Sequence, residues 1–195
     1  MVYLSKIYTR AGDDGMTQLG DGTSLPKHHL RVASYGTCDE LSSVLGIAIV
    51  TMAGVQGGEG DSEAVSWLKT IQNDLFDVGS DLCVPGEAGD KLRITEGYVK
   101  RLEGWIDSVN ANLEPLHSFV LPGGSASAAW LHLGRTTCRR TERCVSELAA
   151  AEEEGRVNAE VLRYLNRLSD LLFVMARAAN DGGKDDVLWV PGKNR

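Results

Sequence analysis

Residues 135–143 read RTTCRRTER: four arginines in nine residues, in a 195-residue chain whose formal net charge is −7. The flanking sequence, SASAAWLHLG before it and CVSELAAAEEEG after it, has helical spacing from Ser125 to a stop at Gly155. Trp130, Leu133, Thr137, Thr141, Cys144 and Leu148 alternate by three and four, which predicts a core seam. Arg135, Arg139, Glu142 and Arg143 recur at i, i+4, i+7 and i+8 and fall on a second face. From Arg135 to Arg143 the rise is ~12 Å, at ~1.5 Å per residue. That is of the order of an extended nucleotide with its phosphates. Two readings follow. Either the face is solvated and paired with exposed carboxylates, each pair contributing little, or it binds phosphate. Arginine favours the second, because its planar fork matches phosphate oxygens in a way that lysine does not.

Four further stretches have the same period. Ser34–Ala53 places Leu41, Val44, Leu45 and Ala48 on one face. After a Gly-rich link, GVQGGEGD, Asp61 is the expected N-cap of a second helix through Trp67, Leu68, Ile71, Leu75 and Val78. Thr95 caps a third, with Tyr98, Leu102, Trp105, Ile106 and Val109. The last begins near Asn158 and runs to about Asn180, with Val161, Leu165, Leu168 and Leu172 on one side and Leu162, Leu171, Phe173 and Met175 on others. A helix that apolar is a buried one. Within it, Asn166 and Asp170 form a polar stripe that needs partners.

No βαβ alternation is visible, and strand-like pieces are confined to KIYT near the start and DVLWVPG near the end. The expected fold is all-α: a single domain over residues 1–195, made of an irregular Gly-rich segment (1–33), a five-helix, ferritin-like up-down bundle (34–180) and a tail (181–195). The long connection CVPGEAGDKLRIT should pack on something.

A pI near 5.1 argues against nucleic acid and anionic membrane as partners. No run approaches ~18 uninterrupted apolar residues, and no secretory leader is visible, so a cytoplasmic protein is expected. Cys38, Cys83, Cys138 and Cys144 form no CxxC pair and read as reduced thiols. His28 and His29 lack a third partner at metal-binding spacing and read as surface residues.

The segment TRAGDDGMT, residues 9–17, is a plausible phosphate cradle. Gly12 and Gly15 free the backbone to turn and present N–H groups. Thr9 and Thr17 add hydroxyls, Arg10 adds a cation, and Lys27 lies downstream. The loop is not GxxxxGK[ST], so it is no ordinary P-loop.

In order, KIYTRAGDDGMTQLGDG, RVASYGTCDELSSVLG, FVLPGGSASAAWLHLGRTTCRRTER and YLNRLSDLLFVMAR resemble the PduO-type ATP:cob(I)alamin adenosyltransferases, from Lys6 to about Pro191. The resemblance implies a five-helix bundle that assembles as a homotrimer, with ATP and a reduced corrinoid at subunit interfaces. The implied reaction is transfer of the 5′-deoxyadenosyl group of ATP to Co(I), giving adenosylcobalamin and triphosphate. A binding chaperone that delivers adenosylcobalamin is the alternative. A reductase and an adenosylcobalamin-dependent acceptor enzyme are implied partners.

Carried over by motif, the loop Thr9, Arg10, Ala11, Gly12, Asp13, Asp14, Gly15 and Thr17 would wrap the triphosphate, with Lys27 assisting. Arg139, Arg140, Glu142, Arg143 and Asn166 match ATP-holding positions. Asp39 matches an aspartate that pairs with the equivalent of Arg135, near the corrinoid. Phe119 matches the aromatic that displaces the lower axial base, and Asp170 matches a corrin-side position. Mg²⁺ would be held mainly by the phosphates. Glu142 would either help to position it or hold Arg139 or Arg143 in place.

Overall fold

The computed structural model describes residues 7–56, 62–86 and 89–195. Five helices make up more than half of it: α1 (Leu30–Gln56), α2 (Glu63–Cys83), α3 (Glu96–Asn110), α4 (Ala126–Ala151) and α5 (Ala159–Ala178). Two short strands, β1 (Met16–Gln18) and β2 (Ser24–Pro26), pair antiparallel ahead of them. The all-α expectation holds, with this hairpin as the addition.

The caps explain the boundaries. Ser125 Oγ accepts the Ala128 N–H at 3.1 Å, and Asn158 Oδ1 accepts the Glu160 N–H at 3.0 Å. Each satisfies a donor that the first turn leaves open. The second helix is capped by Ser62, whose Oγ accepts the Val65 N–H at 3.3 Å. Asp61, the residue expected there, lies outside the described residues. Thr95 sits at the N-cap of α3 but its side chain makes no cap bond. α1 starts four residues earlier than its sequence signal suggests, at Leu30 rather than Ser34. His29 Nδ1 accepts the Arg31 N–H at 3.1 Å there, while the Ser34 hydroxyl donates to the Leu30 carbonyl at 2.8 Å inside the first turn. His29 is therefore a structural residue and not a bystander.

Neighbouring helices run in the order α2, α1, α4, α5, α3. Side chains close the ring between α3 and α2: Trp67 stacks on Trp105 at 5.0 Å, and the Tyr98 hydroxyl donates to Asp77 at 3.0 Å. α1 is long and apolar enough to cross a bilayer over Leu30–Gly54. Here Leu41, Leu45 and Ala48 are fully buried in the protein core.

The predicted seam of α4 needs correction. Leu133 is 45% exposed, and Trp130 and Cys144 are half-buried. The buried face carries Ala128, Leu131, Cys138, Val145 and Leu148 beside Thr137 and Thr141. The reason is that α4 lies between α1 and α5 and must bury a wide surface. Gly134 permits the approach: a Cβ there would stand 3.2 Å from Leu45 Cδ2. The Thr141 hydroxyl is placed to share its proton between the carbonyls of Thr37 (3.2 Å) and Thr137 (3.1 Å).

Both terminal strand expectations change. Ile7–Thr9 is irregular, and Lys6 lies outside the described residues. The tail does pair, through a bridge between Val120 and Leu188. The Trp189 N–H donates to the Phe119 carbonyl at 2.8 Å and the Leu121 N–H to the Val187 carbonyl at 2.7 Å.

Buried charges hold the ends of the bundle. Arg31, 2% exposed, pairs with Glu152 and donates to the carbonyls of Leu82 and Arg156, tying α1, α2 and α4 together. Arg93 packs the long connection onto α2: it donates to Asp81 and to the carbonyls of Val84 and Gly86. Asp81 Oδ2 also accepts the Ile94 N–H at 2.8 Å and Asn158 Nδ2 at 2.7 Å. All four cysteines are free thiols. Burial pushes Cys38 up to about 12 and Cys138 well above the usual thiol range, so neither is a ready nucleophile.

Candidate active site

The glycine loop is built as a tight, self-bonded turn. The Asp13 N–H donates to the Arg10 carbonyl at 3.3 Å and the Gly15 N–H to the Gly12 carbonyl at 3.2 Å. Asp14 Oδ1 accepts the Met16 N–H at 3.0 Å, and Thr9 Oγ1 accepts the Ala11 N–H at 3.4 Å. The N–H groups of Gly12 and Asp14 have no partner among the described residues. Lys27 is folded across the loop, with Nζ 2.6 Å from the Gly12 carbonyl oxygen. A Cβ at Gly12 would meet Lys27 Nζ at 2.9 Å and the Met16 carbonyl at 3.1 Å, so only glycine lets the lysine lie so close. Gly15 has φ +83°, a conformation that side chains rarely adopt. Lys27 thus organises the loop as well as charging it. Gly12, Met16 and Thr17 are half-buried, and the other loop residues are exposed.

On α4 the arginines separate into two groups. Arg140 turns toward α1 and pairs with Glu40. It does not share the face of Arg139 and Arg143. Those two are exposed and have no carboxylate partner among the described residues; Arg143 Nη1 donates only to the Arg139 carbonyl, at 3.3 Å. Glu142 is held by α5: Asn166 Nδ2 donates to it at 3.0 Å. Arg167 fixes that amide in turn, with Nη1 2.5 Å from Asn166 Oδ1 and Nε 2.9 Å from Glu103 on α3. The sequence named Asn166 and Glu142 but not Arg167, although the YLNRLSD motif contains it. Asp170 lies one turn beyond Asn166. Burial raises its carboxyl, and the Arg167 charge partly offsets that.

Arg135 stands apart at the base of a cleft of about 500 Å³ formed with His117, Phe119, Val120 and Phe173. Its Cζ lies 6.0 Å from the Phe173 ring centre, a cation–π distance. Burial, and then the Arg139 charge, lower its pKa. Phe119 is 77% exposed on the rim, against Trp189 at 5.9 Å. An exposed aromatic is held there by buried polar groups missed in the sequence. Asn180 Oδ1 accepts the Ser125 N–H at 2.9 Å, and Nδ2 donates to the Gly123 carbonyl at 3.2 Å. Arg177 pairs with Asp186 at 2.8 Å and donates to the Glu114 carbonyl at 2.9 Å. The signal for these was the polar run ANDGGKDD immediately after an apolar helix.

Asp39 is not joined to Arg135 within the chain. It is exposed on α1 and lines a different cleft, of about 390 Å³, with Tyr35, Phe76 and Cys83. The β1–β2 hairpin that continues the glycine loop borders that second cleft: the Gly20 N–H lies 3.1 Å from Cys83 Sγ. The loop and Asp39 therefore lie on the α1/α2 side, and Arg135, Arg139, Glu142 and Asn166 lie on the α4/α5 side. The two clefts share no residue.

What the geometry can do is bind. Unpaired guanidinium groups and free loop amides suit a polyanion, and an apolar rim over a half-buried arginine suits a large ring with polar edges. No group of three His, Cys, Asp or Glu among the described residues is arranged to hold a metal ion.

Residues 7–179 match the cobalamin adenosyltransferase family. The chain is 47% identical to a corrinoid adenosyltransferase of Mycobacterium tuberculosis over 197 residues, covering 100% of this chain and 97% of the relative. It is 46% identical to one from Bacillus subtilis, covering 90% and 86%. A solved variant of a PduO-type ATP:corrinoid adenosyltransferase from Lactobacillus reuteri, complexed with cobalamin and ATP, superposes with a TM-score of 0.82 at 35% identity, over 95% of this chain and 97% of that one. With sequence, fold and chain length in agreement, this protein belongs to the cobalamin adenosyltransferase family.

Proposed function

We propose that the protein transfers the 5′-deoxyadenosyl group of ATP to the Co(I) centre of a reduced corrinoid. The bond formed joins cobalt to C5′; the bond broken is C5′–O5′, and triphosphate leaves. The observation that carries this reading is the pair Arg139 and Arg143, exposed on α4 without a carboxylate partner among the described residues. Cations set beside a leaving triphosphate stabilise the charge that develops there. The loop from Thr9 to Thr17 supplies amide donors. Glu142, held by Asn166, stands on the same helical face as the two arginines. Mg²⁺ rides on the phosphate oxygens, and this fits a site with no metal-binding cluster of His, Cys, Asp or Glu among the described residues. Phe119 and Phe173 offer an apolar wall without a ligating atom, which suits exclusion of an axial base or water from cobalt. Alignment of the two substrates then does most of the remaining work.

The site is assembled between copies of the chain, as a homotrimer. Support comes from the separation of the loop and Asp39 from the arginine face, and from exposed apolar side chains on the loop's side: Phe76, Val50 and Ile47. A neighbour's α4 face set against the loop and Asp39 would complete both the triphosphate site and the Asp39–Arg135 pair.

The test is incubation with ATP, Mg²⁺ and chemically reduced cobalamin, followed by the absorbance change of Co–C bond formation. Stoichiometric adenosylcobalamin and triphosphate are expected over many turnovers. Tight binding of both substrates without turnover would replace the transferase reading with that of a carrier. Phe119→Ala should retain ATP affinity and lose about tenfold or more in adenosylation rate, the scale of one lost alignment contact. Loss of ATP binding instead would make Phe119 a packing residue.

A further inference from the structure

His132 lies on α4 one turn before Arg135 and is 1% exposed. Neither of its ring nitrogens has a hydrogen-bond partner, and the buried Arg135 Nε lacks one too. Burying an imidazole without partners is unfavourable. Leucine or phenylalanine would fill the same space without that cost, so packing does not explain a histidine here. Both side chains touch one ring: His132 lies 6.2 Å from the Phe173 centre and Arg135 Cζ 6.0 Å from it. A neutral imidazole has one accepting nitrogen. A guanidinium has only donors. The unsatisfied acceptor and the unsatisfied Nε–H are complementary and adjacent on one helical face.

We propose that His132 is a positioning residue for Arg135: the two groups stand unbonded here, and a side-chain rotation lets the imidazole accept the Arg135 Nε–H and thereby set where the guanidinium stands in the Phe119 cleft. That leaves the terminal nitrogens free to face the corrinoid side and the aspartate partner. The assignment of the cleft to a corrinoid rests on the function proposed above; the proposed pairing of His132 with Arg135 does not.

The contact requires neutral His132. Burial first, and the Arg135 charge second, lower its pKa, while Asp186 from the tail pushes the other way. Asp186 is already paired with Arg177, and α5 presents the uncharged Phe173 to the imidazole. On protonation the ring loses its acceptor and becomes a second cation beside Arg135, so the contact breaks in acid.

The experiment compares wild type, His132→Gln and His132→Leu. Glutamine keeps an acceptor and does not titrate; leucine keeps the volume and lacks the acceptor. In the Leu variant the KM for corrinoid should rise about tenfold or more, the scale of a lost hydrogen bond to a charged group, with the KM for ATP unchanged. The Gln variant should stay near wild type and lose the acid limb of the corrinoid kcat/KM profile. A second readout needs no turnover: the Arg135 Nε–H signal in protein labelled with 15N-arginine. It should resist solvent exchange at pH 8 in wild type and His132→Gln, weaken in acid only in wild type, and exchange freely in His132→Leu. Identical exchange in all three proteins, or a Gln variant as impaired as the Leu variant, overturns the proposal. Absence of adenosylation in wild type overturns the function and leaves the exchange comparison to decide the role of His132.

Discussion

Two sets of arginines in this molecule have opposite fates. Arg31, Arg93 and Arg177 are sunk into the ends of the bundle, and each is consumed by the chain itself. Arg177, 5% exposed, meets Asp186 and a backbone carbonyl; Arg31 meets Glu152 and two carbonyls. Arg139 and Arg143 stand in the open with no carboxylate to neutralise them among the described residues. The lesson is that an arginine's role is read from its partners and not from its local density in sequence. A buried, saturated guanidinium is architecture. An exposed one held among others without a counter-charge is a site awaiting an anion.

That contrast can be broken at several points. Arg177→Ala leaves Asp186 buried without its partner and should destabilise the fold by about 3–5 kcal/mol. Urea unfolding would measure it, and a loss below about 1 kcal/mol would put Arg177 with the exposed set. Arg143→Ala should leave the unfolding midpoint nearly unchanged and cut turnover with ATP by about a hundredfold, as loss of a preorganised charge at a leaving group does. A stable variant with normal kinetics would remove Arg143 from the site. His132→Gln tests the pH side. In wild type the folded imidazole resists protonation more than the unfolded one, so stability is complete above the ordinary histidine pKa and falls as acid drives protonation. The Gln variant should show a shallower loss of stability between neutral pH and pH 5, measured by thermal unfolding. At the small end, Arg140→Ala removes only a surface pair with Glu40 and should cost less than about 1 kcal/mol. A large kinetic effect there would show that Arg140 leaves Glu40 to meet ATP.

Much of this was legible in the sequence because it is local. Helix count, the caps at Ser125 and Asn158, and the second face of α4 depend on spacing along one segment. The sequence marked Asn166 as a polar residue in need of a partner, and the structure supplies Glu142. What was not legible depends on distant partners. Leu133 was expected inside and is exposed, because the sequence does not say that α4 is flanked on two sides and that Gly134 admits Leu45. Arg31 carries no signal of its own in the sequence; only the fold brings Glu152 and the Leu82 carbonyl to it. His132 was invisible because one histidine in an apolar stretch carries no periodic signal. The pairing of Asp39 with Arg135 came from motif resemblance, and the single chain keeps them in separate clefts.

That separation has a consequence for mixtures. Gly12→Val would crowd Lys27 and disable the loop of any copy that carries it, while leaving that copy's α4 untouched. Arg139→Ala would do the reverse. In the proposed ring with sites shared between copies, each damaged protein alone should be inert, yet random co-assembly would pair an intact loop with an intact arginine face at about one junction in four, as expected for head-to-tail contacts. Two dead proteins, unfolded and refolded together, would come back alive.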